Sequence, residues 1–131
     1  MKYMLLIYMG ENAMNESERE QCYKDSTQLA HDLKASGKYI SANPLQPVTA
    51  ATSVRVRDGR RLVTDGPFAE TREQLGGYFL IEAADLDEVI AVASRIPAAR
   101  KGTVEIRPVT EIPGLPDTAS AAPAAELATQ R

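Results

Sequence analysis

The residues best suited to chemistry in this chain gather between positions 65 and 78. Asp65, Glu70, Arg72 and Glu73 fall in one short stretch, and Tyr78 follows the double glycine Gly76-Gly77. A carboxylate enclosed in a cleft can act as a general base. Asp65 and Glu70 are therefore the candidate catalytic residues, with Arg72, Tyr78 and the later Arg107 as candidate ligand contacts. The same stretch also has a purely conformational explanation. An Asp before Gly-Pro can accept backbone N–H bonds in an Asx turn, Gly66 reaches conformations closed to other residues, and Pro67 fixes its own φ. Phe68 is expected to fill apolar space. Both readings stand at the level of sequence, and Asp65 is where they compete.

Other reactive side chains are few. His31 is the single histidine. It falls about 200° around a helix from Leu29, which puts it off the buried stripe and in solvent. Cys22 is the single cysteine and lies on that stripe, where a small buried hydrophobe is the plain expectation. No Cys/His cluster exists to hold zinc, and neither a metal nor a cofactor is expected. Arg55, Arg57 and Arg60 share one face of a hairpin. That face suits an anionic ligand or an acidic protein patch, but single-sign patches are common on exposed hairpins.

These residues are positioned by a recognisable succession of elements. Tyr3 to Met9 is apolar on both alternating faces, which predicts a central strand covered on both sides. Asn15-Glu16-Ser17-Glu18 reads as a capping box opening a helix that runs to about Ser36. Cys22, Ser26, Leu29 and Leu33 form its buried stripe, and Gly37 stops it. Tyr39 to Leu45 is a second strand, and Pro44 and Pro47 make it irregular or place it at an edge. Two alternating runs then flank Asp58-Gly59, a strong hairpin signal that pairs Arg57 with Arg60, Arg55 with Leu62 and Val54 with Val63.

Ala69 to Leu75 is polar and suggests a single helical turn, after which Tyr78 to Glu82 forms another covered strand. Asp85-Leu86-Asp87-Glu88 is a second capping box, opening a helix with Leu86, Val89, Ile90 and Ala93 on its buried face. Thr103 to Thr110 is the last strand. Without the hairpin, the order is the βαββαβ of a ferredoxin-like α+β fold. Two helices on one sheet face leave the other face bare, and its apolar residues predict a homodimer packed sheet against sheet.

The chain has 131 residues and a net charge of −3. That length fits one domain, and the charge provides no basic field for nucleic acid or for acidic membranes. The apolar start is too short for a secretory signal, and no stretch approaches the roughly 20 apolar residues of a membrane span. A cytoplasmic protein is expected. From Pro113 the composition shifts to Ala, Pro, Thr and Ser, so residues 1–112 are read as the domain and 113–131 as a tail. Residues 119–130 of that tail could form a short helix against a neighbouring subunit.

The stretch Asp65-Gly66-Pro67-Phe68-Ala69-Glu70-Thr71-Arg72-Glu73-Gln74-Leu75-Gly76-Gly77-Tyr78 resembles the signature of the DGPF subgroup of the YCII-related superfamily. The first strand, Val54 to Gly59, Ile96 to Arg100 and Val104 to Pro108 resemble the same family, so the resemblance covers about residues 1–112. It implies a ferredoxin-like subunit in a dimeric α+β barrel. It further implies association with extracytoplasmic-function sigma factors, and the first functional expectation is a small-molecule-binding or accessory regulatory module serving such a system. Some broader relatives are enzymes, including a dehydrochlorinase-type lyase, and these share a His-Asp pair. The His lies early in the first helix, where this chain has Cys22, Tyr23 and Lys24. The Asp precedes a proline after the second helix, where this chain has Ile96-Pro97. Neither half of the pair is present. The alternative is a small lyase or isomerase using Asp65 or Glu70 in an inter-subunit cleft.

Overall fold

A computed structural model of the chain describes residues 1–116. The helix expected between residues 119 and 130 lies outside the described residues. The elements run β1 (Lys2–Met9), α1 (Glu16–Ala35), β2 (Tyr39–Pro44), β3 (Thr52–Arg57), β4 (Arg60–Asp65), β5 (Gln74–Glu82), α2 (Leu86–Arg95) and β6 (Thr103–Pro108). Single 3-10 turns occupy Val48–Ala50 and Pro97–Arg100. Strands β2, β5, β1 and β6 lie side by side in that order, and all their pairings are antiparallel. This is the ferredoxin-like α+β arrangement, with β1 in the interior of the sheet and β2 at an edge. The hairpin β3–β4 forms a separate two-stranded sheet.

The period-two side-chain alternation of β1 decides which of its apolar sets faces the helices. Tyr3 and Leu5 are buried against Leu29 and Leu33 of α1, together with Phe79 and Ile81 of β5. Met4, Leu6 and Tyr8 therefore point to the opposite face, where they remain only half-buried. Leu5, Ile81, Val89 and Ile96 are almost fully enclosed, and each contributes about 1.5–3 kcal/mol by leaving water. One end of β1 is fixed by close backbone contact. A Cβ on Gly102 would lie 2.0 Å from the Tyr8 carbonyl oxygen, so only glycine lets the chain enter β6 there.

The capping of α1 follows the sequence pattern. The Asn15 side chain accepts from the Glu18 N–H at 2.8 Å, and the Glu18 carboxylate accepts from the Asn15 N–H at 3.1 Å. The start of α2 keeps only half of the expected box. Asp85 accepts from the Glu88 N–H at 2.9 Å, while Glu88 turns to the Lys38 ammonium at 3.2 Å.

Three local expectations are corrected. The buried face of α2 is Val89, Val92 and Ala93, continued by Ile96, whereas Leu86 and Ile90 are exposed. The apolar residues of this short helix cover more than one stripe, and sheet contact selects one of them. Residues 69–73 form no helical turn. Thr71 Oγ1 donates to the Glu73 carbonyl at 2.6 Å and Gln74 Nε2 donates to the Thr71 carbonyl at 2.7 Å. These bonds divert the backbone into an irregular entry to β5. Phe68 fills no interior space and is 78% exposed, because the hairpin beside it stands off the main sheet.

Candidate functional site

A groove of about 860 Å³ lies between α1 and the β2 side of the sheet. Its helical wall repeats at three- and four-residue steps, through Arg19, Cys22, Tyr23, Ser26, Ala30 and Lys34. That spacing keeps one face of α1 over the groove along most of the helix. The opposite wall is β2 and the segment after it, with Tyr39, Ala42, Pro44, Leu45 and Val48. Ile7, Met9 and Phe79 form the floor, and Ile96 and Ala98 close the back.

The groove has a sequence origin. Leu29 and Leu33 pull α1 onto the sheet, but Ser26 and Ala30 of the helix and Ala42 of β2 are small and leave space between helix and strand. Pro44 and Pro47 end the edge strand and carry the chain along the rim, where the Val48 N–H donates to Glu11 Oε1 at 3.3 Å. Cys22 sits half-buried on the wall. Burial pushes its thiol up, with the Ser26 hydrogen bond opposing and the Asp25 charge reinforcing the shift. Cys22 is thus a neutral thiol and packs as a small apolar group, because a thiolate would need a cationic partner.

The opposite face of the sheet carries a second polar arrangement. Tyr78 is paired with Leu6 on one side and Asn43 on the other. Its phenolic oxygen lies 2.9 Å from Ser41 Oγ and accepts from Asn43 Nδ2 at 3.0 Å. Those two bonds, that of Ser41 first, lower the Tyr78 pKa from its ordinary value against a smaller opposing effect of burial. Arg107 is paired with Met4 and Glu105 with Leu6, so both point to this same face from β6. Tyr78 and Arg107 thus share one surface with β1 running between them, and Tyr78 with Asn43 also borders the α1 groove at the β2 edge.

The remaining candidates stand elsewhere. Asp65 ends β4 opposite Thr52 and is exposed. The turn after it is held by the Gly66 N–H donating to the Ala51 carbonyl at 2.7 Å and by Ser53 Oγ donating to the Gly66 carbonyl at 2.8 Å. Gly66 has φ 99°, which a side chain would strain. The turn geometry thus rests on the backbone of its neighbours. Glu70 and Arg72 are exposed in the segment leading to β5. Asp65, Glu70, Arg72 and Arg107 do not line the α1 groove. Arg55 and Leu62 of the hairpin join Pro67 and Phe68 around a shallower hollow of about 270 Å³.

Cys22 and Ser26, read from the sequence as part of the buried stripe, line the groove instead and are only half-buried, and the groove residues Arg19, Ala30 and Lys34 gave no motif in the sequence. The available signal was a second stripe on α1, running 19, 23, 30, 34 beside the buried one. That stripe mixes charged, aromatic and small residues, so apolar periodicity does not mark it. Among the described residues no group of three or more His, Cys, Asp or Glu side chains is placed to hold a metal ion. No described helix is long and apolar enough to cross a membrane.

A four-stranded antiparallel sheet with two helices on one face and a groove under the first helix defines a ferredoxin-like α+β domain with a built cavity. The chain belongs to the YCII-related domain family, whose match spans residues 1–113. It is 37% identical over 114 residues to an uncharacterized protein of Rhizobium meliloti (strain 1021), covering 83% of this chain and 92% of that one. Its fold is similar to that of the 5-chloro-2-hydroxyhydroquinone dehydrochlorinase of Burkholderia phenoliruptrix AC1100, solved in complex with 2,5-dihydroxybenzoquinone. That similarity has a TM-score of 0.54 and 14% identity, and covers 84% of this chain and 94% of that one.

Proposed function

We propose that the protein is a small-molecule-binding module that works as a homodimer, with its ligand in the groove between α1 and β2. The observation that carries this reading is the composition of the groove at two positions. Where enzyme-type relatives place their His, this chain has Cys22, Tyr23 and Lys24, and where they place their Asp it has Ile96, at the back wall with 1% exposure. A large, mainly apolar cleft without that acid–base pair is suited to holding a ligand rather than transforming it. Acid–base catalysis by Asp65 or Glu70 would need those carboxylates enclosed by a second copy, since both are exposed in the single chain.

The homodimer is supported by two surfaces. The sheet face opposite the helices carries half-buried Met4, Leu6, Tyr8 and Leu80. The hairpin exposes Val54, Val56 and Val63 on one side and Leu62 on the other. A two-stranded ribbon is marginal alone in water and gains most from a partner. An accessory regulatory role within a sigma-factor system is the partner relation that the DGPF-like signature suggests.

A thermal-shift screen of small aromatic acids, phenols and quinones tests the module reading, with Ala30→Trp filling the groove. A ligand at a hundred times its Kd adds about 2.7 kcal/mol to stability, a rise of roughly 10 °C for a domain this size. The expected result is a shift in the parent protein that Ala30→Trp loses while keeping its circular dichroism spectrum. An unchanged shift in Ala30→Trp would place the ligand elsewhere, and a screen with no shift would remove the binding role. Sedimentation at micromolar concentration should show a dimer.

A further inference from the structure

We infer that the groove takes a short extended peptide, which adds as a strand to the free edge of β2 and lays alternate apolar side chains against α1. This rests on the groove being the ligand site and names the chemistry of its ligand. Among the described residues the sheet ends at β2, which pairs only with β5. The ladder between them fixes where the backbone groups of β2 point. The Leu45 N–H donates to the Gly76 carbonyl at 2.8 Å, and the register steps back from there through Asn43–Tyr78 to Ser41–Leu80. Hydrogen-bonding direction repeats every second residue, so Ser41, Asn43 and Leu45 turn toward β5 while Ala42 and Pro44 turn outward. The side chains agree. Ser41 and Asn43 reach the Tyr78 phenol on the far face of the sheet, which leaves Ala42 and Pro44 on the groove side, where both line it. The outward N–H and carbonyl of Ala42 and the carbonyl of Pro44 therefore lie at the lip of the groove. Among the described residues none of the three has a hydrogen-bond partner.

Backbone groups on a strand edge bond either water or a further strand. A segment running antiparallel to β2 would exchange two hydrogen bonds with Ala42 and donate a third to the Pro44 carbonyl. Residues directly opposite one another carry their side chains on the same face. The two peptide residues opposite Ala42 and Pro44 thus point into the groove, where Ala30 and Ala42 leave room above Phe79. This is recognition by strand addition, in which main-chain bonds give affinity and a pocket beside the edge reads alternate side chains. The edge is also limited at both ends. Pro44 has no N–H to offer, and the bulge between Tyr39 and Ser41 breaks the regular spacing of outward groups. Such features blunt an edge against a long strand, including one from a second copy. What they leave open fits a peptide of a few residues. A hydrocarbon or simple aromatic ligand would gain nothing from the Ala42 pair.

Titration calorimetry with acetyl-Thr-Leu-Thr-Leu-Thr-amide on the full chain tests this. In the bound register both leucine N–H groups face β2 and the central threonine N–H faces water. N-methylation of the two leucines is expected to weaken binding about tenfold or more, the size of two lost hydrogen bonds. N-methylation of the central threonine should leave the affinity unchanged. Ala42→Pro removes the outward N–H without touching a ladder bond. It should weaken the unmodified peptide about tenfold and keep the circular dichroism spectrum of the parent protein. Equal affinity of the two methylated peptides, or undiminished binding to Ala42→Pro, would overturn the inference. So would a dimer that Ala42→Pro converts to monomer, because the edge would then belong to a second copy. If no peptide binds while a compound of the thermal screen gives a shift that Ala30→Trp abolishes, the inference fails and the groove remains a ligand site. If neither responds, both fail.

Discussion

Replacing Ile96 by Asp is a direct probe of whether the back wall of the groove is closed to water. Ile96 is 1% exposed and packs at the junction of α2, the following 3-10 turn and the back of the groove. Ile96→Asn removes buried methyl groups and adds an amide in a mostly apolar setting. The packing loss is about 2–4 kcal/mol by analogy with large-to-small core changes, and a poorly satisfied amide adds about 1–3 kcal/mol. Ile96→Asp has nearly the same shape but carries an ionisable carboxyl. Burial raises the folded-state pKa of such a group above its unfolded value near 4, and every unit of that rise costs about 1.4 kcal/mol once the pH exceeds the folded pKa.

The sign follows from proton linkage. Below the unfolded pKa both states of the Asp variant are protonated, so Asp and Asn variants should be about equally stable. As pH rises the unfolded chain releases its proton first and the Asp variant weakens. The difference should grow to about 3 kcal/mol at pH 7 for a rise of two units. Urea unfolding of both variants from pH 4 to pH 8 measures it, and using their difference cancels the acid sensitivity of the rest of the chain. Equal stability at every pH would mean that position 96 is open to water. Ile96 would then be a replaceable groove residue and its role as a wall would be wrong.

Gly102→Ala should be among the most damaging single-methyl changes, because its Cβ would meet the Tyr8 carbonyl at 2.0 Å and Met9 Cα at 3.1 Å. Displacing β6 from β1 should cost about 2–3 kcal/mol and lower Tm by roughly 10 °C in a thermal melt; an unchanged Tm would show that the two segments are not in contact. Lys101→Gln should raise the pKa of Glu18, whose carboxyl is held below its ordinary value first by the Lys101 hydrogen bond and then by the Asn15 N–H. The contribution of Glu18 to stability is present above its unfolded pKa and lost as pH falls through the lowered folded one. A carboxyl carbon NMR titration reads the shift, and an unmoved Glu18 would remove the link between α1 and the 95–103 connection.

Much of the frame was legible in residue order alone. The hairpin register follows from Asp58-Gly59, since positive φ at both central residues (50° and 73°) gives the two-residue turn whose twist matches the strands. The Asn15–Glu18 cap and the edge position of β2 were equally local, set by side chains a few residues apart and by proline's missing donor. The groove was not legible. Its walls come from segments more than seventy positions apart, Arg19 to Ala98, and its key positions are small residues whose message is the absence of bulk.

The Asp65 turn shows the same division. Sequence determined that a tight strand exit occurs there, because Gly66 and Pro67 constrain the backbone wherever they are placed. Only tertiary structure decided that the turn is held by Ala51 and Ser53, that Phe68 stands in solvent, and that the cavity opens under α1. Local conformation is fixed by neighbours along the chain, whereas enclosure depends on which distant surfaces meet and how much space their side chains leave.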